Sequence, residues 1–120
     1  MLRWIVTLGL SILSVPALID KVRTIVSAMD GNSHFTDPPI ELSKVTQAVN
    51  KLETAYEDSL KSTTGKDATA LVQLRRFEVI TKVNYLGSYV EFIANENHED
   101  GDQIIYSAEM GVKASRTNTG

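Results

Sequence analysis

The sequence predicts a mainly α-helical protein, a small helical bundle with an N-terminal β-strand. The first twelve residues alternate between apolar and other side chains, three longer segments repeat apolar residues every three or four positions, and turn-forming residues separate these segments. With 120 residues, 42% of them hydrophobic, the chain is large enough for one domain with its own core. We assign the domain to residues 1–113 and treat residues 114–120 as a polar tail.

The N-terminal segment is predicted as a strand over residues 2–12. A period of two is typical of a strand with one buried face. The expected interacting face consists of the even-numbered residues, namely Leu2, Trp4, Val6, Leu8, Leu10 and Ile12. Because a single strand cannot satisfy its own backbone hydrogen bonds, it needs a partner. We expect that partner either near residues 110–113 of the same chain or in a neighbouring subunit.

A secretory signal is a different interpretation of the same segment. Arg3 precedes an apolar stretch from Trp4 to Leu13, and residues 15–17, Val-Pro-Ala, resemble a small-residue cleavage site. Strict alternation and the polar residues inside the stretch favour a retained strand, since a signal core needs only bulk hydrophobicity. The stretch is also too short to span a bilayer, which takes about 20 apolar residues, and we expect no transmembrane segment elsewhere. Cleavage after Ala17 remains the alternative.

Three helices are predicted after the strand, each from apolar residues that repeat every three or four positions. Ser14 can cap the first helix, and Asp-Gly-Asn at residues 30–32 can end it, because Gly and Asn accept a left-handed backbone. The second helix begins near Glu41 and ends at Thr-Thr-Gly, residues 63–65. Since only a few residues connect it to the third helix, the two should form an antiparallel hairpin.

The third helix is the longest: Asp67 can cap it, and it runs to about Asn95. Its apolar residues cover more than half of its circumference, which is typical of a helix with several neighbours. The first helix, the N-terminal strand or another subunit could supply that cover. Gly87 interrupts the helix, either at a close contact or as a tolerated residue. A short last helix, which Asp102 could cap, runs through Ala108.

Composition argues against several functional classes. A net charge of −3 and a pI near 5.3 disfavour a nucleic-acid surface, which needs clustered Lys and Arg. Without cysteine the chain has no disulfide and no thiolate metal site. The acidic stretch at residues 95–102 is rich in oxygen ligands, but its spacing does not match a calcium loop. We expect no catalytic, cofactor-binding or metal-binding residues, and a metal-dependent enzyme is the least favoured hypothesis.

The connection after the first helix contains a distinctive set of residues, which are Met29, Gly31, Asn32, Phe35 and Pro38. This set resembles the Met-x-Gly-Asn-x-x-Phe-x-x-Pro stretch of a family of small uncharacterised bacterial helical-bundle domains, and the resemblance extends over residues 2–113. In longer members of that family a fibronectin type III domain often follows. The resemblance implies a retained N-terminal strand and carries over no activity. Physically, Phe35 can plug the end of the bundle.

The sequence therefore favours a non-enzymatic structural or assembly module. Its expected partners are further copies of this chain or other protein subunits, and not nucleic acid. If the strand pairs between subunits in a way that does not close, the contact propagates into a filament, a coat or a virion-type particle. The alternative is a secreted or surface-attached binding domain that uses the third helix. An extracellular or assembled setting is favoured slightly over the cytoplasm.

Overall fold

Four α-helices and a two-stranded β-sheet make up the fold in the computed structural model, which describes residues 2–61 and 66–116. The helices are α1 (Val15–Met29), α2 (Leu42–Lys61), α3 (Lys66–Glu96) and α4 (Gly101–Ser107). The strands are β1 (Leu2–Thr7) and β2 (Gly111–Arg116). The predicted class, mainly helical with an N-terminal strand, is confirmed. The predicted end of the second helix, residues 63–65, lies outside the described residues.

The N-terminal strand is shorter than the predicted range of 2–12. β1 ends at Thr7, and Leu10–Ile12 form a 3₁₀ turn. The backbone leaves the extended conformation at Gly9, whose φ of +59° is a left-handed value that glycine adopts at low steric cost. As a result, the apolar residues of the turn do not share one face: Leu10 is 3% exposed, whereas Ile12 is 86% exposed.

β1 and β2 form an antiparallel sheet within the chain. The register pairs Trp4 with Ala114 and Val6 with Val112. Of the two partners that the sequence left open for the N-terminal strand, the segment near residues 110–113 of the same chain is the one observed. β2 extends to Arg116, so residues 114–116 belong to the strand and not to the predicted polar tail. The sequence indicated this strand only as one of two possible partners, because Val112 is its one strongly apolar residue.

Local signals set the ends of α1 as predicted. The side-chain oxygen of Ser14 accepts a hydrogen bond from the backbone N–H of Ala17, which satisfies one of the unpaired donors at the helix start. At the other end Met29 is buried, and Gly31 adopts a φ of +72°. The left-handed glycine turns the chain out of the helix and into the connection that leads to α2.

α2 and α3 pack as the predicted antiparallel hairpin. The end of α2 lies beside the start of α3, where Asp58 and Leu71 line the same groove. At the opposite end, Phe35, which precedes α2, contacts Tyr89 late in α3 with 6.1 Å between ring centroids and an angle of 59° between the ring planes. The short connection inferred from the sequence therefore gave the correct relative direction.

α4 follows a 3₁₀ turn at His98–Asp100 and begins at Gly101. Asp102 was predicted to cap this helix, but it lies inside the first turn, and its carboxylate accepts a hydrogen bond from the backbone N–H of Gln103 at 2.9 Å. The acidic stretch at residues 95–102 therefore consists mostly of helical turns.

The core is formed by all four helices. Among the described residues, no polar or charged side chain is buried. The fully buried aliphatic residues are Leu18, Val22 and Ile25 of α1, Val45, Val49 and Leu52 of α2, Val79, Val83, Leu86 and Val90 of α3, and Ile104 and Ile105 of α4. Their positions repeat every three or four residues, as the sequence pattern predicted.

Candidate interaction surfaces

The strand face predicted for interaction is largely used inside the chain. Trp4, Val6 and Leu8 are half-buried and pack against the hydrophobic core. Leu10 is part of that core, although it lies in the 3₁₀ turn and not in the strand. Ile12 is exposed and does not contribute to the face. From Trp4 to Leu10 the apolar side of the N-terminal segment thus packs on its own bundle, and the side chain of the predicted Leu2 lies outside the described residues.

Two glycines make room for this face. A Cβ atom added at Gly87 of α3 would lie 2.9 Å from Cδ1 of Leu8 and 3.5 Å from Cγ1 of Val6. A Cβ atom added at Gly101, the first residue of α4, would overlap the indole ring of Trp4. Gly87 therefore marks a close contact with the N-terminal segment. This was one of the two interpretations that the sequence allowed for it.

Both edges of β1 are occupied within the chain. One edge pairs with β2, and the other lies along α3. Asn95 accepts a hydrogen bond from the backbone N–H of Trp4 at 3.0 Å and donates one to the carbonyl oxygen of Trp4 at 2.9 Å. Glu91 accepts a hydrogen bond from the backbone N–H of Val6 at 2.9 Å and pairs with Arg3 at 3.3 Å. These two α3 side chains take the place of a second neighbouring strand.

The acidic segment after α3 also anchors β1. The indole N–H of Trp4 donates a hydrogen bond to the carbonyl oxygen of His98 at 2.8 Å, and the two rings lie 6.0 Å apart. Glu99 and Asp100 are exposed. Within the described ranges, 2–61 and 66–116, no group of three or more His, Asp or Glu residues is arranged to hold a metal ion. The segment acts as a support for the N-terminal strand.

The Asn95→Ala variant tests this anchoring. The substitution leaves the N–H and C=O of Trp4 without their partners, so we expect the free energy of unfolding to fall by about 1–2 kcal/mol. Urea denaturation followed by circular dichroism measures the change. Asn97→Ala is the matched control, because Asn97 is exposed just after the end of α3 and its side chain donates a hydrogen bond to the carbonyl oxygen of Ile93 at 3.0 Å, not to β1. Equal losses in the two variants would contradict the anchoring role.

The distinctive connection at residues 29–38 holds the ends of α1 and α4 together. Asn32 donates hydrogen bonds to the carbonyl and hydroxyl oxygens of Ser107 at 3.3 and 3.1 Å, which ties the end of α1 to the end of α4. Its side-chain oxygen accepts a hydrogen bond from the backbone N–H of His34 at 3.0 Å. Phe35 is 4% exposed and packs on Tyr89, so it closes the end of the bundle as expected.

β2 presents an open edge of the sheet. In an antiparallel pair, the N–H and C=O of one residue point to the same edge of its strand. Two directly opposed residues direct these groups either both towards each other or both away from each other. Because Trp4 and Val6 direct these groups towards α3, their partners Ala114 and Val112 direct theirs away from β1. Among the hydrogen bonds of the described residues, none uses these outward groups of β2. An extended segment could therefore pair along this edge.

A second surface lies on α3, on the side that faces away from the core. We call it the α3 stripe, and it consists of Leu74, Phe77, Thr81, Tyr85, Ser88 and Phe92. Its four large members are 53–67% exposed. α2, α4 and β1 cover other parts of the helix. The sequence correctly indicated that the apolar surface of α3 is too wide for one neighbouring element to cover. Within the described residues, nothing covers the stripe.

Both surfaces have the chemistry of protein contacts: one offers backbone hydrogen bonds and the other offers apolar area. None of the described helices is both long enough and apolar enough to cross a membrane. The resemblance of residues 29–38 to a bacterial domain family stays a prediction. No protein-family model, no curated protein and no solved structure matches this chain.

Proposed function

We propose that the chain is a non-enzymatic structural or assembly module, joined to further subunits through the sheet that its N-terminal strand begins. The observation that supports this proposal is the unequal use of the two strand edges. β1 is enclosed between β2 and the side chains of Glu91 and Asn95, whereas the backbone groups of Val112 and Ala114 point outward. Strand addition therefore takes place at β2, with β1 as its support.

The open edge suits a reversible contact. β2 has only six residues, and its Lys113 is exposed. Short edges that carry lysine resist indiscriminate pairing, because a second strand has to match both the register and the charge. The partner in this proposal is an extended segment of another subunit, and repeated addition yields a filament, a coat or a virion-type particle.

A secreted or surface-attached binding domain is the second candidate, and the exposed α3 stripe favours it. This candidate includes cleavage after Ala17, which would remove β1. The clefts at Gly87 and Gly101 would then lose the side chains of Trp4 and Val6 that fill them. We rank it second for that reason. Mass spectrometry of the native protein decides: an N-terminus at Leu18 supports cleavage, and an intact Met1 contradicts it.

The Ala114→Pro variant tests strand addition. Proline removes the outward N–H of residue 114 and leaves the hydrogen bonds to β1 intact, so the fold should persist while assembly is lost. Size-exclusion chromatography with light scattering should show large species for the wild-type chain and small ones for the variant. The two proteins should have melting temperatures within a few degrees of each other.

Lys113→Pro is the matched control, because residue 113 lies opposite Ile5 and directs its N–H towards β1. This variant loses a ladder hydrogen bond, which is worth about 1 kcal/mol, and its melting temperature should fall by several degrees. The proposal is wrong if the wild-type chain stays small at all concentrations, or if Ala114→Pro assembles as well as the wild type.

A further inference from the structure

We propose that the α3 stripe is a two-fold interface, on which a second copy of this chain packs its own α3 in the antiparallel direction. This inference goes beyond the proposed strand addition, because it uses another surface and names another copy of the chain as the partner. A protomer with a two-fold contact at α3 and a separate strand contact at β2 would be joined to its neighbours through two different surfaces.

The stripe has the form of a helix-packing surface. Its members follow one another at intervals of three or four residues, so they lie in one row along the helix. From Leu74 to Phe92 the row is about 27 Å long, at 1.5 Å per residue. Phe77 is 67% exposed and Phe92 is 60% exposed, values that are unusual for aromatic side chains arranged in one row. A contiguous apolar row of this kind is typical of a contact with another protein.

The arrangement of the stripe is self-complementary. A two-fold interface requires that residue i contacts residue j of the second copy and that j contacts i. Position 83 is the centre of the stripe: Leu74 and Phe92 are equally far from it, and so are Thr81 and Tyr85. In an antiparallel pair, Leu74 therefore faces Phe92 of the second copy, and Thr81 faces Tyr85. The small Thr81 thus meets the large Tyr85 near the middle of the row, which lets the two helices approach closely there.

The charges of α3 favour the antiparallel direction. Residues 66–82 carry four basic and two acidic side chains, whereas residues 83–96 carry two acidic side chains and no basic one. Glu91 of the acidic half is paired with Arg3 of β1, so the direction rests on Glu96 and on the net positive charge of residues 66–82. Antiparallel packing places these two beside each other, and parallel packing would not. Within the basic half, Arg75 donates a hydrogen bond to Glu78 at 2.9 Å, which holds the pKa of that carboxyl group below its usual value.

The area of the stripe is sufficient for a weak dimer. Buried aromatic side chains remove about 150–250 Å² each from solvent, so the three half-exposed aromatics and Leu74 give about 500 Å² on each protomer. The pair would bury about 1,000 Å², near the lower limit for specific interfaces. We therefore expect a dimer that forms and dissociates with concentration.

A charge-exchange experiment on the full chain tests both the surface and its direction. The single variants Leu74→Glu and Phe92→Lys each place two unpaired charges in the dimer, and each should weaken self-association at least about 100-fold. In the double variant, the carboxylate at position 74 faces the ammonium group at position 92 of the second copy, twice per dimer. The double variant should therefore regain most of the wild-type association. Sedimentation equilibrium over a range of concentrations measures all four proteins.

Leu60→Glu is the matched control, since Leu60 is 69% exposed on α2 and lies outside the α3 stripe. It should associate like the wild type. All measurements are repeated in the Ala114→Pro background, where strand addition is blocked. The α3 contact is then measured without a contribution from the β2 edge. The inference is overturned if the wild-type α3 contact is absent in that background, if the single variants associate normally, or if the double variant stays as weak as the single ones.

Discussion

Replacement of Leu10 by alanine is expected to lower the free energy of unfolding by about 2–4 kcal/mol. Leu10 lies in the 3₁₀ turn after β1, is 3% exposed and belongs to the hydrophobic core. Truncation of a buried leucine removes its transfer free energy and leaves a cavity that the surrounding side chains fill only in part. Urea denaturation of the Leu10→Ala variant in the Ala114→Pro background measures the loss without a contribution from strand addition.

Ile12→Ala is the control that makes this result informative. The alternating pattern gives positions 10 and 12 the same role, but Ile12 is 86% exposed. We expect its replacement to change the free energy of unfolding by less than about 0.5 kcal/mol, as for other exposed sites. Comparable losses at the two positions would mean that the strand continues to residue 12, as the pattern alone predicts.

Gly101→Ala is expected to destabilise the fold by about 2–3 kcal/mol, in the upper part of the range for overpacked sites. The added Cβ atom would meet the indole ring of Trp4 on one side and the carbonyl oxygen of Ala94, at 2.8 Å, on the other. The carbonyl is part of the helix backbone and cannot move away without distorting α3. Thermal unfolding should show a lower midpoint, and the near-ultraviolet circular dichroism of Trp4 should change.

Gly87→Ala is the matched substitution in the same contact region. Here the added Cβ atom is too close only to the end of the flexible Leu8 side chain, at 2.9 Å, which can rotate aside, and its contact with Val6 at 3.5 Å is an ordinary van der Waals contact. Alanine also favours the helix by about 1 kcal/mol relative to glycine. The two effects oppose each other, so we expect a net change within about 1 kcal/mol of zero. A larger loss at Gly87 than at Gly101 would contradict the packing described for β1.

Much of the fold could be predicted from local sequence. The helical period of α1 to α3, the Ser14 cap and the left-handed Gly31 all depend on residues within a few positions of one another. The same holds for the direction of the helical hairpin, because a short connection leaves little choice. Phe35 was expected at the end of the bundle, and its burial there agrees.

The candidate surfaces were harder to predict. Asn95 and Glu91 read as ordinary polar residues near the end of a helix, yet they hold the edge of β1. No pattern indicated β2, whose residues are mostly small or charged, or the turn before it, where Glu109 adopts a φ of +58°. The apolar width of α3 indicated several neighbours, which are α2, α4 and β1, but it did not indicate which side of the helix remains exposed.

The sequence by itself determined the helices, their ends and the presence of an N-terminal strand, because each of these depends on neighbours along the chain. Only the tertiary structure decided that β1 is enclosed, that β2 carries the open edge and that the α3 stripe faces outward. The contacts responsible join residues 85–91 positions apart, such as Val6 with Glu91 and Trp4 with Asn95. A local period records which side chains are apolar, but it does not record which distant element covers them.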